Sequence, residues 1–196
     1  MAEFVERFRE ALGTETMDLV GHSLGGQVAI RYAVRYPGRV RRLVLIDPDG
    51  LAGEEGCWLG FARLGPLVDL AFDFNSRCII RSVMRRNVFH GRSGLEGVVS
   101  GKAAYLLIPG GNRAVTRITR EAVGTEPVDD LLPLVGQDTL VVWGVEDRLL
   151  PMRWADGWIR GLARAEWCPI PECGHMPIAE KPAETAVALE EFLQRP

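Results

Sequence analysis

Met17-Asp18-Leu19-Val20-Gly21-His22-Ser23-Leu24-Gly25-Gly26 is the stretch on which the reading of this chain turns. A short apolar run, Met17 to Val20, ends in Gly21-His22-Ser23-Leu24-Gly25-Gly26, and a helical pattern follows from Leu24 to Tyr36. A strand that turns sharply into a helix with serine at the apex exposes that serine as a nucleophile. The apex is strained, so small residues are expected two positions either side, and Gly21 and Gly25 stand there. Gly26 is expected to let the helix pack closely. Ser23 would then sit at a helix N-terminus, where amide groups and the helix dipole favour negative charge. The N–H of Leu24 would face an oxygen that gains charge during acyl transfer.

Outward from this elbow the pattern alternates. Ala2 to Leu12 has helical period, with Phe4, Val5, Phe8, Ala11 and Leu12 expected on the inward face. Thr16–Val20 is the strand entering the elbow, and Val28, Ala29, Tyr32 and Ala33 line the helix that leaves it. Val40–Ile46 is a second strand, whose continuous apolar run Leu43 to Ile46 suits a parallel strand covered on both faces. Thr139–Trp143 and Ala165–Cys168 read as two further strands. Pro151 to Arg164 reads as the helix between them, with Trp154, Trp158, Ile159 and Leu162 inward. Pro182 opens a last helix, with Ala183, Ala186, Val187, Leu189 and Leu193 expected inside. Strands alternating with helices imply a parallel sheet, whose ligands bind at the carboxyl ends of the strands. Ser23, Asp147 and His175 each follow a strand, so all three fall on that edge.

Residues 51–135 break the pattern. Leu59–Phe74, Arg77–Phe89, Leu95–Leu107 and Asn112–Val123 read as helices punctuated by glycine. The expectation is a helical insertion over the Ser23 edge, with Trp58, Phe61 and Tyr105 contributing to apolar pocket walls. Arg77, Arg81, Arg85 and Arg86 form a basic stripe at helical spacing, read as a solvated face. His90 reads as incidental and His22 as a structural neighbour of the elbow.

A chain of 196 residues suffices for one domain with a sizeable core. A net charge of −3 points to neither nucleic acid nor an anionic membrane as a partner, and no apolar run is long enough to span a bilayer. The opening segment is charged and amphipathic, unlike a secretory leader, so a cytoplasmic protein is expected. Cys57, Cys78, Cys168 and Cys173 lack metal-ligand spacing, and Cys168 and Cys173 are expected to be reduced thiols. No metal and no cofactor are expected; the partner is a small-molecule substrate.

Three motifs carry a resemblance. Gly21-His22-Ser23-Leu24-Gly25-Gly26 is followed by Trp143-Gly144-Val145-Glu146-Asp147 with Pro151, then by Gly174-His175-Met176-Pro177 with Glu180-Lys181-Pro182. In this order, nucleophile then acid then histidine, the chain resembles the α/β-hydrolase family. The resemblance implies a mostly parallel sheet of that type, with residues 1–50 and 136–196 as the core and 51–135 as a helical cap insertion. It also implies Ser23 as nucleophile, His175 as base and then acid, Asp147 as the group orienting His175, and Leu24 as an oxyanion donor. Glu146 and Asp138 are rivals for the acid, and Asp47, after the second strand, is the conceivable substitute.

The implied activity is that of a serine hydrolase on a small ester-like substrate. Alternatives are a carbon–carbon bond hydrolase or a cofactor-free perhydrolase with the same triad, and a non-catalytic truncated remnant or binding module. Dehalogenases and epoxide hydrolases resemble the pattern but need a carboxylate where Ser23 stands. The family normally has several strands before the elbow, with a loop that gives a second oxyanion donor. Here one helix precedes the elbow strand, so an N-terminally truncated version with an incomplete sheet is expected. Thr16–Val20 should then be an unprotected sheet edge inviting self-association.

Overall fold

The computed structural model describes residues 1–53, 77–78, 80–123 and 125–195. The helix read at Leu59–Phe74, together with Cys57, Trp58 and Phe61, lies outside the described residues. The elements are α1 (Ala2–Ala11), β1 (Met17–His22), α2 (Leu24–Arg35), β2 (Val40–Ile46), a π-helical turn (Met84–Val88), α3 (Leu95–Leu107) and α4 (Gly111–Val123). They continue with β3 (Asp138–Gly144), α5 (Ala155–Gly161), β4 (Ala165–Ile170), the short α6 (Pro177–Glu180) and α7 (Pro182–Leu193).

Among the described residues the strands form one sheet in the order β1-β2-β3-β4, every pair parallel. Its registers include Val20 opposite Val44, Leu45 opposite Val141 and Val142 opposite Cys168. Each strand returns in the same direction, so all four end on one edge. The apolar run of β2 is explained by burial on both faces. Leu43 and Leu45 pack with Val141, Trp143, Ile30 of α2 and Trp158 of α5. Val44 and Ile46 pack on the other face with Leu140, Val142, Ile170 and Phe192 of α7. Alternating side chains of one strand therefore feed two helical layers.

β1 is paired only with β2 among the described residues, and Val20 on it is 43% exposed. The third apolar cluster joins Ile80, Val88, Phe89, Leu95, Val99 and Ala103 to Leu149, with Met176 and Ala179 against it. It seats the helical segment against the loops that follow β3 and β4. No helix among the described residues is long and apolar enough to cross a membrane.

Two helices bury only part of the face their apolar residues suggest. In α1, Phe4, Phe8 and neighbouring Leu12 are exposed, while Arg9 is buried. Arg9 binds Glu6 through Nε and Nη2 at 2.9 and 2.8 Å, the Tyr32 hydroxyl donates to Glu6 at 2.6 Å, and Arg9 also caps the Thr14 carbonyl. A satisfied ionic cluster takes part of the expected apolar face, while Val5 of that face packs against Tyr32, Ala33 and Val40. In α7, Ala183, Ala186 and Val187 are exposed; Thr185 and Phe192 are buried, with Leu189 and Leu193 partly so. The large Phe192 ring sets the rotation of that helix.

Candidate active site

Ser23 occupies the junction between β1 and α2 with φ 54° and ψ −126°, a region that L-residues avoid. The strain is held by three backbone bonds. The Ser23 amide donates to the Ile46 carbonyl at 3.0 Å, and the Ser23 carbonyl accepts from Gly26 at 2.8 Å and Asp49 at 3.1 Å. A Cβ on Gly21 would lie 2.5 Å from the Gly25 carbonyl oxygen, and one on Gly26 would lie 2.5 Å from Pro48. Both glycines are therefore sterically required. A Cβ on Gly25 would meet nothing within 4 Å, so the expected crowding at that position is absent. Leu24 is the first residue of α2, and its amide is one of those a helix leaves without an intrahelical acceptor.

The loop after β4 carries His175 back across the strand ends. His175 Nε2 lies 2.9 Å from Ser23 Oγ, and its Nδ1 lies 2.7 Å from Asp147 Oδ2. Both His175 and Asp147 are buried. The other oxygen of Asp147 accepts from the amides of Leu149 and Leu150 at 2.8 and 2.9 Å. A carboxylate fixed by two amides accepts Nδ1–H from the imidazole, which leaves Nε2 free to receive a proton from Ser23. The three residues expected from sequence to converge do converge. Asp138, at the start of β3, is at the opposite end of that strand and pairs with Arg164. Glu146 caps the Cys173 amide at 2.9 Å.

Three further residues shape the site. His22 Nε2–H donates to the His175 carbonyl at 2.7 Å, and burial, then the neighbouring His175, holds its imidazole down at about 4. It is a neutral strut for the loop. Glu180 of α6 accepts from the amides of Gly174, His90 and Gly91 at 3.0, 2.8 and 3.0 Å. With the His175 amide donating to the Val88 carbonyl at 2.7 Å, this ties the His175 loop to the helical segment. His90 contributes its backbone. Asp47, directly after β2, has φ 40° and is fully buried. Its Oδ1 accepts from the Gly144 amide at 2.8 Å. Burial and the Asp147 charge push its carboxyl well above the usual range.

Ligand-type atoms of His22, Asp47 and His175 lie within 4.8 Å of one another. Both ring nitrogens of His175 are already engaged by Ser23 and Asp147, so a cation there would compete with those bonds. The role of Glu180 was not legible in sequence, because its partners His90 and Gly91 come from a distant segment, whereas His22 is the structural neighbour it was read as. The Glu180-Lys181-Pro182 motif was the available pointer. Tyr105, expected at a pocket wall, is 69% exposed.

The family model for the alpha/beta hydrolase fold matches residues 1–182. Over 193 residues the chain is 30% identical to the 2-hydroxymuconate semialdehyde hydrolase of Pseudomonas sp. (strain CF600), covering 94% of this chain and 64% of that protein. The chain thus spans less than two thirds of that relative's length. Among solved structures it resembles the 2-hydroxy-6-oxo-6-phenylhexa-2,4-dienoate hydrolase of Rhodococcus sp. strain RHA1, with TM-score 0.79 and 22% identity over 99% of this chain and 69% of that one. It resembles equally the thermophilic esterase of Thermogutta terrifontis, with TM-score 0.81 and 22% identity over 98% and 70%.

Proposed function

We propose that this chain, which belongs to the alpha/beta hydrolase fold family, is a serine hydrolase that cleaves a small carboxylic ester through an acyl-enzyme on Ser23. The observation that carries the reading is the continuous path from Ser23 Oγ through His175 to Asp147, at 2.9 and 2.7 Å. In the proposed reaction Ser23 Oγ attacks the ester carbonyl carbon while its proton passes to His175 Nε2. The carbonyl oxygen takes the electron pair and is met by the Leu24 amide. The intermediate collapses, the C–O bond to the alcohol breaks, and His175 returns its proton to the leaving oxygen. Water, deprotonated in turn by His175, then releases the acid and restores Ser23. Asp147 holds the imidazole in the required tautomer throughout.

Residues 51–135 act in this reading as a cap that shapes the substrate pocket. Its support is the packing of Val88, Phe89 and Leu95 against Leu149 and Met176 beside the triad. A second reading, carbon–carbon bond hydrolysis with the same triad, is favoured by the name of the 30%-identical relative.

A fluorophosphonate probe on the full chain tests the shared core of both readings. Ser23 should be labelled, and Ser23→Ala should lose labelling and turnover. Asp147→Asn should leave a weak remainder, since removing the orienting acid costs about 10⁴-fold in known triads. Label on Ser23→Ala protein at the wild-type rate sinks the proposal. Turnover of a short p-nitrophenyl ester, compared with a vinylogous diketone acid, separates the ester reading from the carbon–carbon one.

A further inference from the structure

The loop that carries His175 is held by two different parts of the molecule. At Cys173 the loop after β3 holds it: the Cys173 amide donates to Glu146 Oε2 and the Glu146 amide to the Cys173 carbonyl, both at 2.9 Å. Beyond Cys173 the helical segment takes part. The His175 amide donates to the Val88 carbonyl at 2.7 Å. A Cβ on Gly174 would lie 2.3 Å from that carbonyl oxygen and 2.7 Å from the His90 amide nitrogen, so the backbone of 88–90 rests directly on the loop.

Glu180 closes this junction, and it is 5% exposed. Its Oε1 accepts from the Gly174 amide, which closes residues 174–180 into a ring, and its Oε2 accepts from the amides of His90 and Gly91. A carboxylate offers acceptors alone, so it suits three converging amides. One buried side chain is thus shared between the loop of the base and the segment lying on it. The apolar packing converges on the same place. Val88, Phe89, Leu95 and Val99 cluster with Leu149, and Met176 packs against them. Leu149 gives its amide to Asp147, and Met176 directly follows His175. One cluster therefore grips the loops of both the acid and the base. The segment reaches it through the π-helical turn Met84–Val88, closed by the Phe89 amide on the Met84 carbonyl at 2.8 Å. Such wide turns occur frequently at functional sites.

We propose that Glu180 is a positioning residue that makes the alignment of His175 with Ser23 conditional on the seating of the helical segment. The inference rests on the triad reading above. Glu180 acts through the loop backbone: with both its oxygens engaged, Gly174 and His175 keep the register that brings Nε2 to 2.9 Å from Ser23 Oγ. When the segment lifts, Oε2 loses its two amides and the Val88 carbonyl withdraws from His175. The base is then left with its side-chain bonds and the His22 contact. A substrate that draws the segment down thereby aligns the base.

The test uses the full chain and the fluorophosphonate probe, with the rate followed against probe concentration so that probe affinity and maximal labelling rate separate. Glu180→Gln keeps the size and one acceptor oxygen, but turns its own N–H groups against an amide of the loop or of the segment. Its maximal rate should fall about 10–10²-fold, the cost of a misplacement of about 1 Å, with probe affinity unchanged. Leu95→Ala loosens the seat without touching a bond of Glu180, and should slow the maximal rate about 3–10-fold. The double variant should be no slower than the slower single one, because both break the same coupling. Leu189→Ala, in the cluster around Phe192, is the control for lost stability and should label like wild type. Hydrogen exchange gives a readout independent of the chemistry: residues 88–91 and 174–175 should exchange faster together in Glu180→Gln. Circular dichroism checks folding, and Leu95→Val replaces Leu95→Ala if the latter unfolds.

A folded Glu180→Gln that labels at the wild-type rate overturns the proposal. So does a double variant as slow as the product of the two single effects, faster exchange at 174–175 alone, or a Leu189→Ala slowed as much as Glu180→Gln. Each of these leaves the serine-hydrolase reading intact, since that fails only if Ser23 is not the labelled residue in the wild type.

Discussion

His22 directly precedes Ser23, and its protonation couples the site to the stability of the whole chain. Its folded-state imidazole is held at about 4 by burial and by the neighbouring His175. In the unfolded chain an imidazole titrates near ~6.5. Between those values the unfolded state binds more protons, so stability is complete above about 6.5 and is lost as pH falls toward 4. A gap of this size corresponds to on the order of 3 kcal/mol by pH 4. His22→Gln keeps an N–H for the His175 carbonyl but cannot titrate. Thermal melts at pH 7 and pH 4.5 should therefore show a smaller acid-induced drop for His22→Gln than for wild type. Equal drops would remove His22 as the source.

At the level of elements, β2 holds the two layers together. Leu45 is fully buried against Val141, Trp143 and Ile30, so Leu45→Ala should lower unfolding free energy by about 2–5 kcal/mol in urea titrations. Phe8→Ala should shift it by less than about 0.5 kcal/mol, because that ring is 58% exposed. Sequence periodicity alone would reverse this ranking for α1. The strands were legible because a strand buried on both faces must be apolar without interruption, as Leu43 to Ile46 is. Helix rotation was not, because an apolar stripe tells which residues share a face but not whether a neighbour covers it. Arg9 goes inward with Glu6 of its own helix, and the two are completed by the Tyr32 hydroxyl on Glu6 and the Thr14 carbonyl on Arg9, neither of which a helical wheel of α1 includes. The triad residues were legible for the opposite reason: each is placed by a short local motif at a strand end. Asp47 was named as the conceivable substitute for Asp147, and the structure buries it at the end of the neighbouring parallel strand.

Across the whole molecule, the flank formed by β1 and α1 stands apart from the well-covered centre. β1 has a partner on one side among the described residues, and Phe4, Phe8, Leu12 and Val20 are all exposed. An unpaired strand beside exposed apolar rings favours association with another chain. Sedimentation velocity should show mass above the monomer that grows with concentration, and Phe8→Glu combined with Val20→Lys should shift the population toward monomer. A wild type that stays monomeric at high concentration would refute this expectation.

Ser23 and His175 are 152 positions apart, yet they meet at 2.9 Å. That separation has a meaning in time. The elbow can form from local chain, but His175 belongs to the loop after β4 and reaches Ser23 across the strand ends. Long-range parallel pairing is slow, so on the serine-hydrolase reading Ser23 stays an ordinary alcohol until that pairing is made. A nascent chain emerging from the ribosome would hold Ser23 without its His175 partner until residue 175 had been made. On the serine-hydrolase reading, a contact that spans 152 positions is thus also a safety catch.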